Sequence, residues 1–401
     1  MKQENRISVV LRQRSLFTLG VICIYLFGNH IPIVTTNFTN HLPLAELFKY
    51  TNEFIGANLS RATLFSLGLG PWMSTMLIWQ VLMNIKSLQL RKKPKKTLDR
   101  LQMILVLFIG IIQGFGVVLT FGQKQSLLEN SVSVILLLGG LFFLIWLGNM
   151  NSVYGIGNFT VFIVVGMLRS MLTNILSYYN YIINLELMAL GILVLIILFI
   201  IISMVVVNLA ELRLPIERSM LYGEKEVHNY IAFRLNTSGG MAIMYAMTLF
   251  VLPQYVFQLV LYAFPQSLDL QVLKYFSLNN IYGISWYCIL LFALSIGFAF
   301  LMIDPERMAE NLAYAGDYFE DIVVGEPTRK YIQNRLLYIS IVGGIFTMII
   351  AGFPLYIALN NPELLMLCMI PGTLFVFISL MVSVVEQITV FSFSKVYHSL
   401  I

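Results

Sequence analysis

Reaction chemistry or ion coupling inside an apolar chain needs carboxylates, imidazoles or thiols within working distance of one another. The five aspartates, Asp99, Asp269, Asp304, Asp317 and Asp321, fall between apolar runs or at their ends, and so do the four histidines, His30, His41, His228 and His398. Arg169 and Glu386 lie within apolar runs, each towards an end, where a long side chain reaches back to the interface. Cys23, Cys288 and Cys368 match no metal or redox spacing and read as small buried apolar residues. No HExxH, no serine or cysteine with a base beside it and no phosphate-binding glycine loop is present. These residues argue against an enzyme and call for no cofactor and no metal.

Elements that could position such groups are dictated by lipid. Hydrophobic residues fill 58% of the 401 positions and charged residues 11%, with a mean hydropathy of +0.82. That is the balance of a polytopic membrane protein. Ten apolar runs each approach the roughly 20 residues that cross about 30 Å of hydrocarbon. They cover 16–34, 62–85, 101–121, 132–150, 157–176, 185–209, 239–264, 281–303, 336–359 and 364–391. Several contain Gly or Pro and none alternates like a barrel strand, so an all-α fold of ten membrane helices is predicted. The first run is too long for a signal-peptide core and no small-residue cleavage site follows it.

Lys and Arg set the expected orientation. With the N-terminus inside, 20 of the 25 basic residues fall on the cytoplasmic side, and both termini are expected there. The cluster "IKSLQLRKKPKK" reads as a topology anchor beside anionic lipid, so the net charge of +5 needs no nucleic-acid partner.

Two cytoplasmic loops, 210–238 and 304–335, are long for a compact bundle, and long ordered loops tend to be functional. The second carries seven acidic residues against four basic ones, consistent with a solvated surface or with a docking face. On the outer side, residues 43–60 are too short and polar to span. They suit an interfacial amphipathic helix or a re-entrant segment. Gly68, Gly70 and Pro71 stand in the middle of the second run, where they predict a distorted membrane helix.

The order of "HIPI" (30–33), the short outer segment, "LSRATLFSLGLGPWMSTMLIWQVL", "WLGNMNSVYGIGN" (146–158), "LNTSG" (235–239), "DPERMAENLAYAG" (304–316) and "PGT" (371–373) resembles the SecY family of protein-conducting channels. The resemblance covers nearly the whole chain. It implies two inverted five-helix halves, about 1–180 and 181–401, around an hourglass pore, with a re-entrant plug at about 43–60. It implies passage of unfolded secretory preproteins across the bacterial plasma membrane and a lateral gate to lipid. A separate SecA-type ATPase would supply the energy, and SecE- and SecG-like small subunits and accessory secretion proteins are possible partners. The family's pore-ring positions fall on Leu69, Met73, Val164, Leu168, Met244 and Phe377. Its polar gate positions fall on Ser74, Gln113 and Asn236. Motor docking would involve Glu320, Asp321, Glu326 and Arg218.

Departures from the family pattern narrow the resemblance. The loop between the eighth and ninth helices reads "YFEDIVVGEPT", with Glu326 between Gly325 and Pro327 where an arginine-bearing stretch is usual. The C-terminus is short, and Ala242 replaces a proline usual early in the seventh helix. These differences resemble the accessory SecY of Gram-positive bacteria, which implies glycosylated serine-rich adhesins as cargo. A solute permease would instead need dedicated polar groups near the midplane, and a membrane insertase or scaffold without a through-pore is the other alternative.

Overall fold

The computed structural model describes residues 2–33, 63–84, 90–121, 127–177, 187–218, 229–263, 277–359 and 365–397. The expected plug at 43–60 lies outside them. The helices are α1 (Lys2–Gly28), α2 (Gly70–Asn84), α3 (Lys95–Phe121), α4 (Leu127–Tyr154), α5 (Thr160–Ser177), α6 (Leu187–Leu209), α7 (Met241–Ala263), α8 (Ile281–Met302), α9 (Pro305–Ala315), α10 (Glu326–Ala351), α11 (Phe353–Ala358) and α12 (Leu365–Tyr397). Six helical stretches are long and apolar enough to cross a membrane: Val10–Gly28, Lys95–Leu119, Leu128–Tyr154, Ile281–Ala315, Glu326–Ala358 and Leu365–Val390. Shorter apolar helices cover Thr160–Thr173, Ile197–Leu209 and Met241–Phe257. The chain is a multi-pass helical membrane protein.

The second apolar run is not one helix. Residues 64–69 form successive turns and α2 starts only at Gly70. Gly68 takes a left-handed φ of 55°, which glycine adopts at little cost. Pro71 is the second residue of α2, in the first turn, where its missing N–H has no intrahelical partner to lose. The expected mid-helix distortion is therefore replaced by a helix start. Packing enforces it: Leu64 N–H donates to Ile31 O at 3.0 Å, and the buried Phe65 ring stacks on Tyr25 and Phe143. A Cβ on Gly28 would lie 1.9 Å from Phe65, and one on Gly140 would lie 2.1 Å from Leu64 O. Such irregular backbone at membrane depth is tolerated because neighbouring helices cover it.

One apolar cluster joins α1–α8 with α10, α11 and α12. Within it α2 packs on α3, α3 on α4, and α1 on α4 and α5; α7 packs on α8, α8 on α10, and α12 on α6, α10 and α11. The two sets meet at two seams, α7 against α2 and α3, and α12 against α1 and α5.

The two long loops form a separate module. β1 (Glu211–Pro215) pairs antiparallel with β3 (Tyr230–Arg234), and β2 (Glu217–Arg218) pairs with β4 (Asp317–Tyr318). Leu214 and Phe233 from the first loop and Ala309, Leu312 and Phe319 from the second share a small core with Ile332 and Ile339 of α10. Its helix α9 is capped by the Asp304 carboxylate, which accepts from Glu306 N–H at 3.2 Å and Arg307 N–H at 3.4 Å, and is stopped at Gly316 in the left-handed region.

Of the cysteines, Cys288 is buried and Cys368 half-buried, but Cys23 is exposed. The expectation of three buried thiols fails there because α1 turns Cys23 away from its helix neighbours.

Candidate functional site

Leu69, Met73, Val164 and Met244 are buried in the main apolar cluster, and Phe377 packs against it. Leu69 and Met73 remain one helical turn apart although Leu69 precedes α2, because Met73 N–H donates to Leu69 O at 2.9 Å. These five residues come from α2 or the turn before it, α5, α7 and α12. Each offers only carbon or sulfur to its neighbours, so a constriction built from them would exclude water and ions when narrow. Leu168, one turn beyond Val164 on α5, is 43% exposed.

Among the polar positions, Gln113 Nε2 donates to Ser74 Oγ at 2.9 Å, and Ser74 Oγ donates to Gly70 O at 2.9 Å. Both side chains are buried. This bond ties α3 to α2. Asn236 is engaged elsewhere: its Oδ1 accepts from Ser238 Oγ and from Gly239 N–H, each at 3.1 Å, fixing the turn that leads into α7. Its backbone lies against Gly343 of α10, and Ser238 Oγ sits 3.2 Å from Ser295 Oγ of α8. On the other side of the turn Gly240 N–H donates to Ser379 Oγ of α12 at 2.8 Å, and a Cβ there would lie 2.7 Å from the Cα of Val376.

A second polar centre surrounds "YGIGN", and sequence reasoning assigned it no role. Asn151 is fully buried. Its Nδ2 donates to Ile156 O at 3.1 Å and Asn158 O at 2.9 Å, while its Oδ1 accepts from Thr18 Oγ1 of α1 at 3.2 Å. Thr18 Oγ1 in turn accepts from Ile156 N–H at 2.9 Å. Gly157 N–H donates to Gln387 Oε1 of α12 at 3.0 Å. Gly157 and Asn158 hold φ of 84° and 47°, so the turn depends on residues that tolerate the left-handed region. The signal that could have found it is a buried-type asparagine at the end of an apolar run, followed by two glycines.

Glu386, expected to reach back to the interface, forms an ion pair there with Arg234 of β3. Both side chains are about two-fifths exposed, so the pair positions more than it stabilises. It joins the loop module to the same end of α12 that holds Gly157 through Gln387.

The docking candidates lie on the loop module. Glu320 and Asp321 are exposed, and Asp321 takes a φ of 61° in the bend before α10. Glu326 occupies the first turn of α10, where a carboxylate suits the helix dipole. Its Oε1 lies 3.6 Å from Lys330 Nζ, with both side chains more than 70% exposed. Arg218, in the other loop, sits opposite Asp317 in the β2–β4 pairing. The backbone pairing thus brings these two loop segments together.

The fold is that of a protein-conducting channel. A solved structure described as "The structure of a protein conducting channel" superposes with a TM-score of 0.70 at 15% identity, covering 96% of this chain and 93% of that one. Sec61 in the canine ribosome-channel complex superposes at 0.65 with 16% identity, over 96% and 93%. The SecY family model matches residues 63–391, and the chain belongs to the SecY family, whose members are non-enzymatic translocon subunits. Its similarity is to the accessory branch. A chain from Leuconostoc gelidum subsp. gasicomitatum described as accessory Sec system protein translocase subunit SecY2 is 33% identical over 96% of each chain. A counterpart of the same description from Streptococcus sanguinis is 29% identical over 98% of each.

Proposed function

We propose that the protein is the central channel subunit of an accessory Sec translocase in a bacterial plasma membrane. It passes unfolded secretory preproteins, chiefly glycosylated serine-rich adhesins, through a pore between two inverted halves of five spans each, residues 1–180 and 181–401. Both termini and the loop module face the cytoplasm. A SecA-type ATPase docks on Glu320, Asp321, Glu326 and Arg218 and drives the preprotein outward through the pore, while SecE- and SecG-like subunits and accessory secretion proteins complete the complex. The observation that supports this reading is that Leu69, Met73, Val164 and Met244, with Phe377 packed against them, all belong to one apolar cluster to which helices from both halves contribute. Such a ring closes to ions by dewetting, and methionine side chains refit around a passing chain of varied sequence.

In a closed channel α2 and the turn before it, α5, α7 and α12 supply the constriction, and lipid access opens where α7 parts from α2 and α3. Chemistry at the site is confined to desolvation and shape, since no reacting group is needed. The test is co-purification of the channel with a SecA-type ATPase, together with crosslinking of an arrested secretory chain to cysteines at ring positions. Charge reversal at Glu320, Asp321 and Glu326 should weaken motor binding most at low salt, where surface charges are least screened. Failure to retain either motor or arrested chain overturns the translocase reading.

A further inference from the structure

Gly116 of α3 and Tyr255 of α7 meet across the seam more closely than any side chain on α3 would permit. A Cβ built on Gly116 would lie 2.2 Å from Cδ1 of the Tyr255 ring, 3.0 Å from Cε1 and 3.2 Å from Cγ. Both residues are buried, so the edge of the ring, led by Cδ1, fills the notch left by the missing side chain. Neither residue belongs to the polar set at Ser74, Gln113 and Asn236 or to the apolar constriction.

Tyr255 also sits two residues beyond Pro253, which lies inside α7 and is exposed. Proline has no N–H, so the bond from residue 253 to the carbonyl of Leu249 is missing and the helix bends most easily there. Helix α7 is thus weakened one half-turn before the residue that seats it on α3. Lipid tails give no hydrophobic drive to hold two apolar helices together, so close van der Waals fit decides how firmly such a seam closes. Closed cores and interfaces are bistable, which makes a fitted ring either seated or unseated.

We propose that Tyr255 seated over Gly116 is a latch for the α3–α7 seam, that Pro253 is its hinge, and that the latch sets how strong a signal sequence must be to open the gate. This rests on the reading of that seam as the lateral gate. An entering apolar signal helix competes with the Tyr255 ring for the α3 surface. A weak signal loses that competition and a strong one wins it.

The experiment uses the full chain in lipid nanodiscs, with spin labels on the exposed residues Phe108 of α3 and Val256 of α7, and in parallel the motor-driven export of cargo with an intact or a weakened signal. Gly116→Ala should lengthen the label distance and raise export of the weakened cargo about tenfold, since overpacking of this kind is worth about one decade in an equilibrium. Tyr255→Leu alone should lengthen it slightly. The double variant should return both distance and stringency towards wild type, a non-additivity that independent destabilisation of two sites does not produce. Pro253→Ala should stiffen α7, shorten the distance distribution and slow export of intact cargo. Unchanged distances in Gly116→Ala, or a double variant as open as Gly116→Ala, overturns the latch. If distances follow the latch pattern while even the unmodified channel with its motor exports no cargo, the latch stands and the translocase reading falls.

Discussion

The seam of α12 with α1 and α5 and the seam of α7 with α2 and α3 connect the same two sets of helices by different means. At the first, Gln387 of α12 accepts the Gly157 N–H, and the turn carrying Gly157 is itself held by Asn151, Thr18 and three backbone groups. At the second, the Tyr255 ring lies in the notch at Gly116 and Met73 and Met244 share the apolar cluster. A buried polar bond beside it, Gln113 to Ser74, ties α3 to α2. Hydrogen bonds are directional and costly to leave unmade when buried, whereas apolar contacts in lipid can slide and part at small cost. One seam is thereby suited to hold register, and the other to separate.

The comparison breaks most visibly at Asn151. Asn151→Ala removes the amide that donates to Ile156 O and Asn158 O, which should destabilise the channel by about 2–3 kcal/mol. A fall in the thermal midpoint of the detergent-solubilised protein measures it, and a wild-type midpoint would mean that the turn does not hold the seam. Phe377→Asn should do the reverse. It should leave the midpoint near wild type but raise resting ion conductance several-fold in planar bilayers by wetting the constriction. Gln387→Leu removes the acceptor for Gly157 N–H and should cost about 1 kcal/mol, with a midpoint shift well below that of Asn151→Ala. Gln113→Leu should have the smallest effect, about 0.6 kcal/mol for a polar contact between membrane helices. It should not alter the distance between labels on α3 and α7, because the bond lies on one side of that seam.

Hydropathy located the helical segments well because burial in lipid and burial in protein select the same residues. Helix starts were less legible. The run through 62–69 is as apolar as a membrane helix, yet Gly68 in the left-handed region and the close approaches at Gly28 and Gly140 turn it into covered turns. Transfer energy reports what a residue avoids, not its backbone angles. The ion pair of Arg234 with Glu386 joins residues 152 positions apart, and neither sequence neighbourhood announces the other. The local task of Asn236, whose Oδ1 fixes the turn before α7, was not legible in the family's gate pattern. The joint core of the loops was foreshadowed only by their length.

The late start of α2 also bears on how the chain enters the bilayer. Its 15 residues, at about 1.5 Å each, reach only about 22 Å, well short of a hydrocarbon thickness of about 30 Å. The missing depth is supplied by the turns at 63–69, whose backbone is shielded by Gly28 at the end of α1 and Gly140 of α4. On its own this segment would strand unpaired amides in lipid, a poor substrate for insertion. Its stable seating therefore waits for α4, which is synthesised later, so biogenesis must either hold the second segment beside the insertion machinery or let the bilayer thin around it until that partner arrives.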